Sequence, residues 1–357
     1  MNFLNFKNKT VLITGHTGFK GMWLTIYLLS LGSKVIGISL KPTLYQKKIL
    51  KKLEKKIKSY FFDIANHNKL KKTIKHSQPD YIFHLAAQPI VSESFKKPLE
   101  TWKTNVIGTG NLLNSLRYLK KKCTIIIVTS DKCYEIKNKK KITFLKETDA
   151  LGGKDPYSSS KASTELIFRS FFHSYLKEKK NITIASVRAG NVIGGGDWSK
   201  DRIIPDCVRS WILKKKLYIR NPNFIRPWQH VLDVINGYLM LAKIISKSKK
   251  FNGESFNFGP EKNSIKTVKE LCKIFKYYWI GPSKIHIKNN KKFFETKILA
   301  LSIVKVKKYL GWKPFLNLKN SLSLTASWYN KYYKNLDVFD IYLDQIKYFK
   351  NLCKIKK

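Results

Sequence analysis

Short apolar, β-branched runs alternate with longer amphipathic stretches through the first half of the chain. The run TVLIT at 10–14 has no polar break, the mark of a strand covered on both faces. Further strands are predicted at 34–39, 59–62, 81–85, 124–129 and 182–187. Helical patterns fall at 22–31, 99–119 and 156–177, and the lysine-rich stretch 41–58 reads as surface loop with a short helix. Strands that alternate with helices pair in parallel through right-handed crossovers. The expectation is an α/β fold with a doubly wound parallel sheet. After 194 the pattern becomes irregular, and Trp, Pro and Arg concentrate there. This predicts a sheet domain over 1–190 and a smaller C-terminal lobe over 191–357, with some segments returning to the first domain. From 335 the spacing of Phe339, Tyr342, Leu343, Ile346 and Phe349 predicts a final packed helix.

Two motifs sit where this pattern makes them chemically meaningful. Gly15-His16-Thr17-Gly18-Phe19-Lys20-Gly21 separates the first strand from the first helix. Glycines there permit a tight turn and let a pyrophosphate approach the helix N-terminus, as in a Rossmann-type dinucleotide site. The carboxylate that usually ends the second strand and binds a ribose is missing; the chain reads Ser39-Leu40-Lys41, which leaves NAD against NADP open. Tyr157 and Lys161 are four residues apart on a predicted helix and so share a face. A nearby ammonium lowers a phenol's pKa, which suits Tyr157 to act as a base. Ser130-Asp131-Lys132 ends the fifth strand, at the side of a parallel sheet that faces ligands.

Composition first points elsewhere. The 357 residues carry 70 Lys+Arg against 23 Asp+Glu, a formal net charge of +47, which suggests an anionic partner such as nucleic acid. Only seven of these are arginines, and base and phosphate readout favour arginine. The 63 lysines are spread along the whole chain, so the excess reads as compositional drift, and no specific nucleic-acid partner is expected. Five scattered cysteines without a CxxC argue against a metal site or a disulfide framework. With neither a signal-like N-terminus nor a membrane-length apolar run, a soluble cytoplasmic protein is expected.

A wider set of segments carries a family resemblance: GHTGFKGMWL at 15–24, SDKCY at 130–134, ETDALGGKDPYSSSK at 147–161, RAGNVIGGGDW at 188–198, RIIPD at 202–206, RPWQHVL at 226–232, NFGP at 257–260, LGWKP at 310–314 and QIKY at 345–348. Together they resemble the extended short-chain dehydrogenases/reductases and, among them, the CDP-glucose 4,6-dehydratases. That resemblance implies bound NAD, CDP-glucose as substrate, no metal and a homodimer built on the helices at 99–119 and 156–177. It implies that Asp63, Ile64 and the wall Leu85-Ala86-Ala87 touch the cofactor with the glycine turn. Gln88, Ser92, Asn191, Arg202 and Arg226 become candidates for the sugar nucleotide, the arginines for its pyrophosphate. Arg209 and Arg220 read as supporting groups.

The implied reaction moves a hydride from C4 to C6 of the hexose while water leaves across C5–C6. Tyr157 would take the O4 proton with Ser130 holding that oxygen, and Asp131 would protonate the departing C6 hydroxyl. Related dehydratases have Glu where this chain has Lys132; Lys132 is read either as the C5 base or as a cation that stabilises the enolate. The chain also departs from the family at Ser302 and at 294–296. Competing readings are a dehydratase for another sugar nucleotide, a 4-epimerase and, more distantly, a non-catalytic binding protein.

Overall fold

The computed structural model describes residues 5–136, 142–219, 221–287 and 299–355. Arg220 and positions 294–296 lie outside them. Seven strands form one parallel sheet: β1 (Thr10–Thr14), β2 (Lys34–Ser39), β3 (Ile57–Phe61), β4 (Tyr81–His84), β5 (Cys123–Val128), β6 (Ile182–Ala189) and β7 (Ser255–Phe258). Their order is β7-β6-β5-β4-β1-β2-β3. The order reverses between β1 and β4, which leaves a crevice at the strands' carboxyl ends.

The unbroken apolar strands have a physical cause. Val11 and Ile13 join one core while Leu12 joins the other, and Ile126 and Ile125 divide in the same way. Helices therefore cover both faces of the central strands, and solvent reaches positions toward the β2–β3 side such as Lys34, Lys58 and Phe61. The helices include α1 (Phe19–Leu29), α2 (Leu44–Leu53), α3 (Gly108–Leu116), α4 (Pro156–Phe171), α5 (Ile203–Ile212), α6 (Val231–Ile245), α7 (Leu318–Tyr333) and α8 (Val338–Ile355), of which α1, α2, α4, α5 and α8 lend residues to the crevice.

The expected helix at 99–119 is a helical run from Pro98 to Leu116 with a π turn at Lys103–Ile107. The helix at 156–177 is α4 followed by a π turn at Phe172–Leu176. Asp155 caps α4, accepting from the Ser158 amide at 2.9 Å, and Pro156 occupies the first turn. The final helix matches the predicted tail, burying Tyr342, Ile346 and Phe349. Beyond residue 190, β7 completes the central sheet beside β6, and a two-stranded antiparallel pair, Ile225–Pro227 with Ile265–Thr267, carries Arg226. Among the described residues no helix is long and apolar enough to cross a membrane.

Candidate active site

The ends of β1, β4, β5 and β6 open into a single cavity of about 780 Å³. Gly15, Thr17, Gly18, Phe19, Lys20 and Gly21 line it. Gly15 has φ +78°, and a Cβ there would approach the Ala86 amide to 2.8 Å, so only glycine fits the turn. The first turn of α1 has neither a side-chain cap nor an acidic residue. An uncapped helix start that lines the cavity suits an anionic group such as a pyrophosphate, and the glycine turn therefore fits a dinucleotide.

His16, the seventh member of the motif, does not line the cavity. Its ring lies behind the turn with Nε2 3.0 Å from Ser59 Oγ, and burial lowers its pKa to about 4. Leu85, Ala86 and Ala87 form the facing wall, and Asp63 with Ile64 lines the end next to β2 and β3. A buried chain of bonds holds that wall in place. Ala86 N–H donates to Thr14 Oγ1 (3.3 Å), which lies 2.7 Å from His84 Nδ1, and His84 Nε2 lies 3.0 Å from Thr109 Oγ1. Lys41 is exposed and outside the cavity lining.

Ser130, Asp131, Lys132, Tyr157 and Lys161 meet on one side of the cavity. Ser130 opens a short 3-10 turn at Asp131–Cys133 and accepts from the Lys132 amide at 3.2 Å. Its hydroxyl donates to Asp131 Oδ1 at 3.0 Å, and its proximity pulls the Tyr157 phenol downward. Burial pushes Asp131 above the usual carboxylate range, against Lys132, the Ser130 bond, Arg226 and Lys20. Asp131 Oδ2 is buried without a hydrogen-bond partner among the described residues. Burial lowers Lys161 to about 8 and Lys20 to about 7; Arg202 and Lys161 reinforce the effect on Lys20. The lowered phenol expected for Tyr157 is reversed: burial pushes it up to about 12 and outweighs the pull of Ser130 and Arg202.

The proposed sugar-nucleotide residues divide. Asn191, Arg202, Arg226 and Ser92 line the cavity. Arg202 opens α5 and pairs with Asp197 at 3.2 Å; Arg226 Nη1 donates to the Ile225 carbonyl at 2.9 Å. Ser92 Oγ donates to Asp201 Oδ2 at 2.6 Å. Gln88 stands outside the lining and braces its own loop, with Nε2 on Thr101 Oγ1 at 2.9 Å and Oε1 accepting from the Ile90 amide. Arg209 pairs with Asp206 and with the carbonyls of Trp198 and Ser199, as a supporting group would. Among the described residues no His/Cys/Asp/Glu group could hold a metal.

Sequence reasoning passed over several residues of the lining: Thr43, Tyr45, Gln46, Asp197, Trp198 and Tyr342. Asp197 and Trp198 end the RAGNVIGGGDW segment and could have been found there. Thr43, Tyr45, Gln46 and Tyr342 carry no sequence signal that marks them as cavity residues.

A parallel sheet with a glycine turn at its switch point and Tyr-x-x-x-Lys across the crevice defines the extended short-chain dehydrogenase/reductase class. A family model described as GDP-mannose 4,6 dehydratase matches residues 12–325, and the chain belongs to that family. Over 342 residues it is 37% identical to CDP-glucose 4,6-dehydratase of Salmonella typhimurium, covering 93% of this chain and 94% of the relative. The UDP-glucose 4-epimerase of Thermotoga maritima, solved with UDP-glucose, has the same fold with a TM-score of 0.78 at 24% identity, covering 91% and 99% of the two chains. The dTDP-glucose 4,6-dehydratase of Bacillus anthracis, solved with NAD, gives 0.74 at 23% identity over 90% and 97%.

Proposed function

We propose that this chain is an NAD-dependent CDP-glucose 4,6-dehydratase, a hydro-lyase that converts CDP-D-glucose to CDP-4-keto-6-deoxy-D-glucose and water. The observation that carries the reading is the meeting of the Ser130-Asp131-Lys132 turn with Tyr157 and Lys161 beside the glycine turn, in one cavity. The 37% identity to the Salmonella typhimurium enzyme supports the choice of nucleotide. Residues 1–190 form the cofactor domain, and 191–357 mainly the sugar-nucleotide lobe. The enzyme works in the cytoplasm and feeds deoxysugar and surface-polysaccharide synthesis, including lipopolysaccharide.

When bound, the nicotinamide supplies reversible hydride transfer, from C4 of the hexose and back to C6. The glycine turn holds the pyrophosphate, Asp63 and Ile64 the far end, and Leu85–Ala87 one side of the dinucleotide. Ser130 and Tyr157 hold O4, and Tyr157 takes its proton. To take that proton, a phenol pushed up by burial must already be ionised, and the Arg202 charge beside it favours the phenolate. Asp131 is suited to the acid role because burial favours its protonated form and its Oδ2 has no hydrogen-bond partner among the described residues. Lys132 takes the C5 proton. Asn191, Arg202 and Arg226 hold the diphosphate, and Ser92 borders the hexose. Gln88 acts through the loop it braces.

The test uses CDP-glucose deuterated at C4, with loss of one water followed by mass. Label recovered at C6 of a keto-deoxy product is the expected result. Label returned to C4 of an inverted sugar would identify an epimerase, and no turnover would leave a binding protein. Lys132→Ala should abolish solvent exchange at C5; wild-type exchange would remove its base role.

A further inference from the structure

The missing carboxylate at the end of β2 leaves one end of the cavity without its usual ribose ligand, and α2 fills that place. Its first turn is fixed by a capping box: the Thr43 amide donates to Gln46 Oε1 at 2.8 Å, and the Gln46 amide to Thr43 Oγ1. Gln46 Nε2 donates to the Thr17 carbonyl at 2.8 Å, which ties α2 to the glycine turn itself. Between those two contacts Tyr45 faces the cavity, half-buried. Its ring packs edge-on to Trp198, with centroids 5.3 Å apart.

The Tyr45 hydroxyl lies 3.4 Å from the hydroxyl of Tyr342 on α8. Tyr342 is fully buried, edge-on to Trp23 of α1 at 4.4 Å. Its hydroxyl abuts Gly196, which has φ +77°, and any side chain at that glycine would collide with it. Two surface contacts fasten the same pair of segments: Lys52 to Asp337 at 2.8 Å, and the Lys56 ammonium 4.7 Å from the Phe339 ring centre. The C-terminal helix thus positions a cavity-lining residue that stands next to the glycine turn.

We infer that Tyr45 is a dinucleotide-binding residue that takes over from the absent strand-end carboxylate, and that Tyr342 is its positioning residue. The ring of Tyr45 contributes contact area, and its phenol a donor for a ribose hydroxyl or phosphate oxygen. Burial holds that phenol above its ordinary pKa, so it remains a donor throughout the physiological range. The inference rests on the dinucleotide lying along the glycine turn.

The test titrates NAD and, separately, CDP into the full chain freed of nucleotide. Tyr45→Ala should raise the Kd for NAD about tenfold, the loss of an aromatic contact together with a hydrogen bond, and leave the Kd for CDP unchanged. Tyr45→Phe, which keeps the ring, should raise it about threefold to fivefold. Tyr342→Phe should weaken NAD binding in the wild-type background but not further in Tyr45→Ala, because it acts through Tyr45. Unchanged NAD affinity in Tyr45→Ala, or an equal loss from Tyr342→Phe in both backgrounds, overturns the inference. A wild-type chain that binds no NAD overturns the underlying cofactor reading instead.

Discussion

Asp131 is 3% exposed, with one carboxylate oxygen bonded to Ser130 and the other without a partner among the described residues. Asp131→Asn removes the proton it would give to the departing hydroxyl while preserving shape. Oxidation at C4 should continue, elimination should slow by about 10²- to 10⁴-fold, and reduced nicotinamide should accumulate in a single turnover. Absorbance of the reduced cofactor reads this directly; a slowed first hydride transfer would count against the role. Three histidines make a different prediction. His16, His84 and His230 are buried, and burial lowers them to about 4, 3 and 3 from an ordinary 6.5. A lowered folded-state pKa means that the unfolded chain binds the extra protons between those values and 6.5. Stability is therefore intact above that range and falls as pH drops through it, by up to about 1.4 kcal/mol per histidine per pH unit. Melting temperature measured from pH 7 down to pH 4 should fall steadily, and replacing His84 by Gln should flatten the slope.

Helix α4 delivers Tyr157 and Lys161 and also anchors what lies beneath them. One turn below Lys161, the fully buried Glu165 meets Arg188 of β6 at 2.8 Å and accepts from Thr129, Ser186 and Ser255. Thr129 precedes Ser130, so the network joins the helix to the strand end that carries the catalytic turn. Burial by itself would raise the Glu165 carboxyl, but Arg188 and these donors outweigh it and hold it below its ordinary value. Arg188→Met would strand a buried carboxylate and should cost about 3–5 kcal/mol in denaturant unfolding. The stabilisation exists above the ordinary carboxylate value of 4.5 and fades as pH falls through it, so the gap between variant and wild type should narrow in acid. Element by element, legibility follows burial. TVLIT could be read because both its faces are covered. SFNF at 255–258 could not, since four residues after an irregular stretch have no period to detect. Helix α2 was legible only as a short helix somewhere in the lysine-rich stretch 41–58, since just Ile49 and Leu53 of its ten residues are buried. The meeting of Ser130, Asp131, Lys132, Tyr157 and Lys161 in one cavity was legible because strand end and helix spacing place them locally. The roles of Tyr45 and Tyr342 were not, because a contact 297 positions apart along the chain has no local trace.

Over the whole molecule, the charge of +47 falls mainly on lysines and does not specify a partner. Surface apolar residues carry more information. Leu99 and Ile107 on the run ending in α3, with Leu166 on α4 and Tyr175 beyond it, are 81%, 54%, 54% and 46% exposed. A homodimer that packs these two helical segments against their copies would cover them as a four-helix bundle. Leu166→Lys should shift the mass measured by light scattering from two chains to one; a wild-type monomer would end that proposal. Completion of the sheet by β7, and of the cavity wall by α8, also imposes an order on synthesis. The first 190 residues leave the ribosome with β6 as an open sheet edge and with Trp23 of α1 lacking its partner Tyr342. The glycine turn finds Ala86 and Gln46 within that first half, but Tyr342, which lines the same cavity, is added only after more than a hundred further codons.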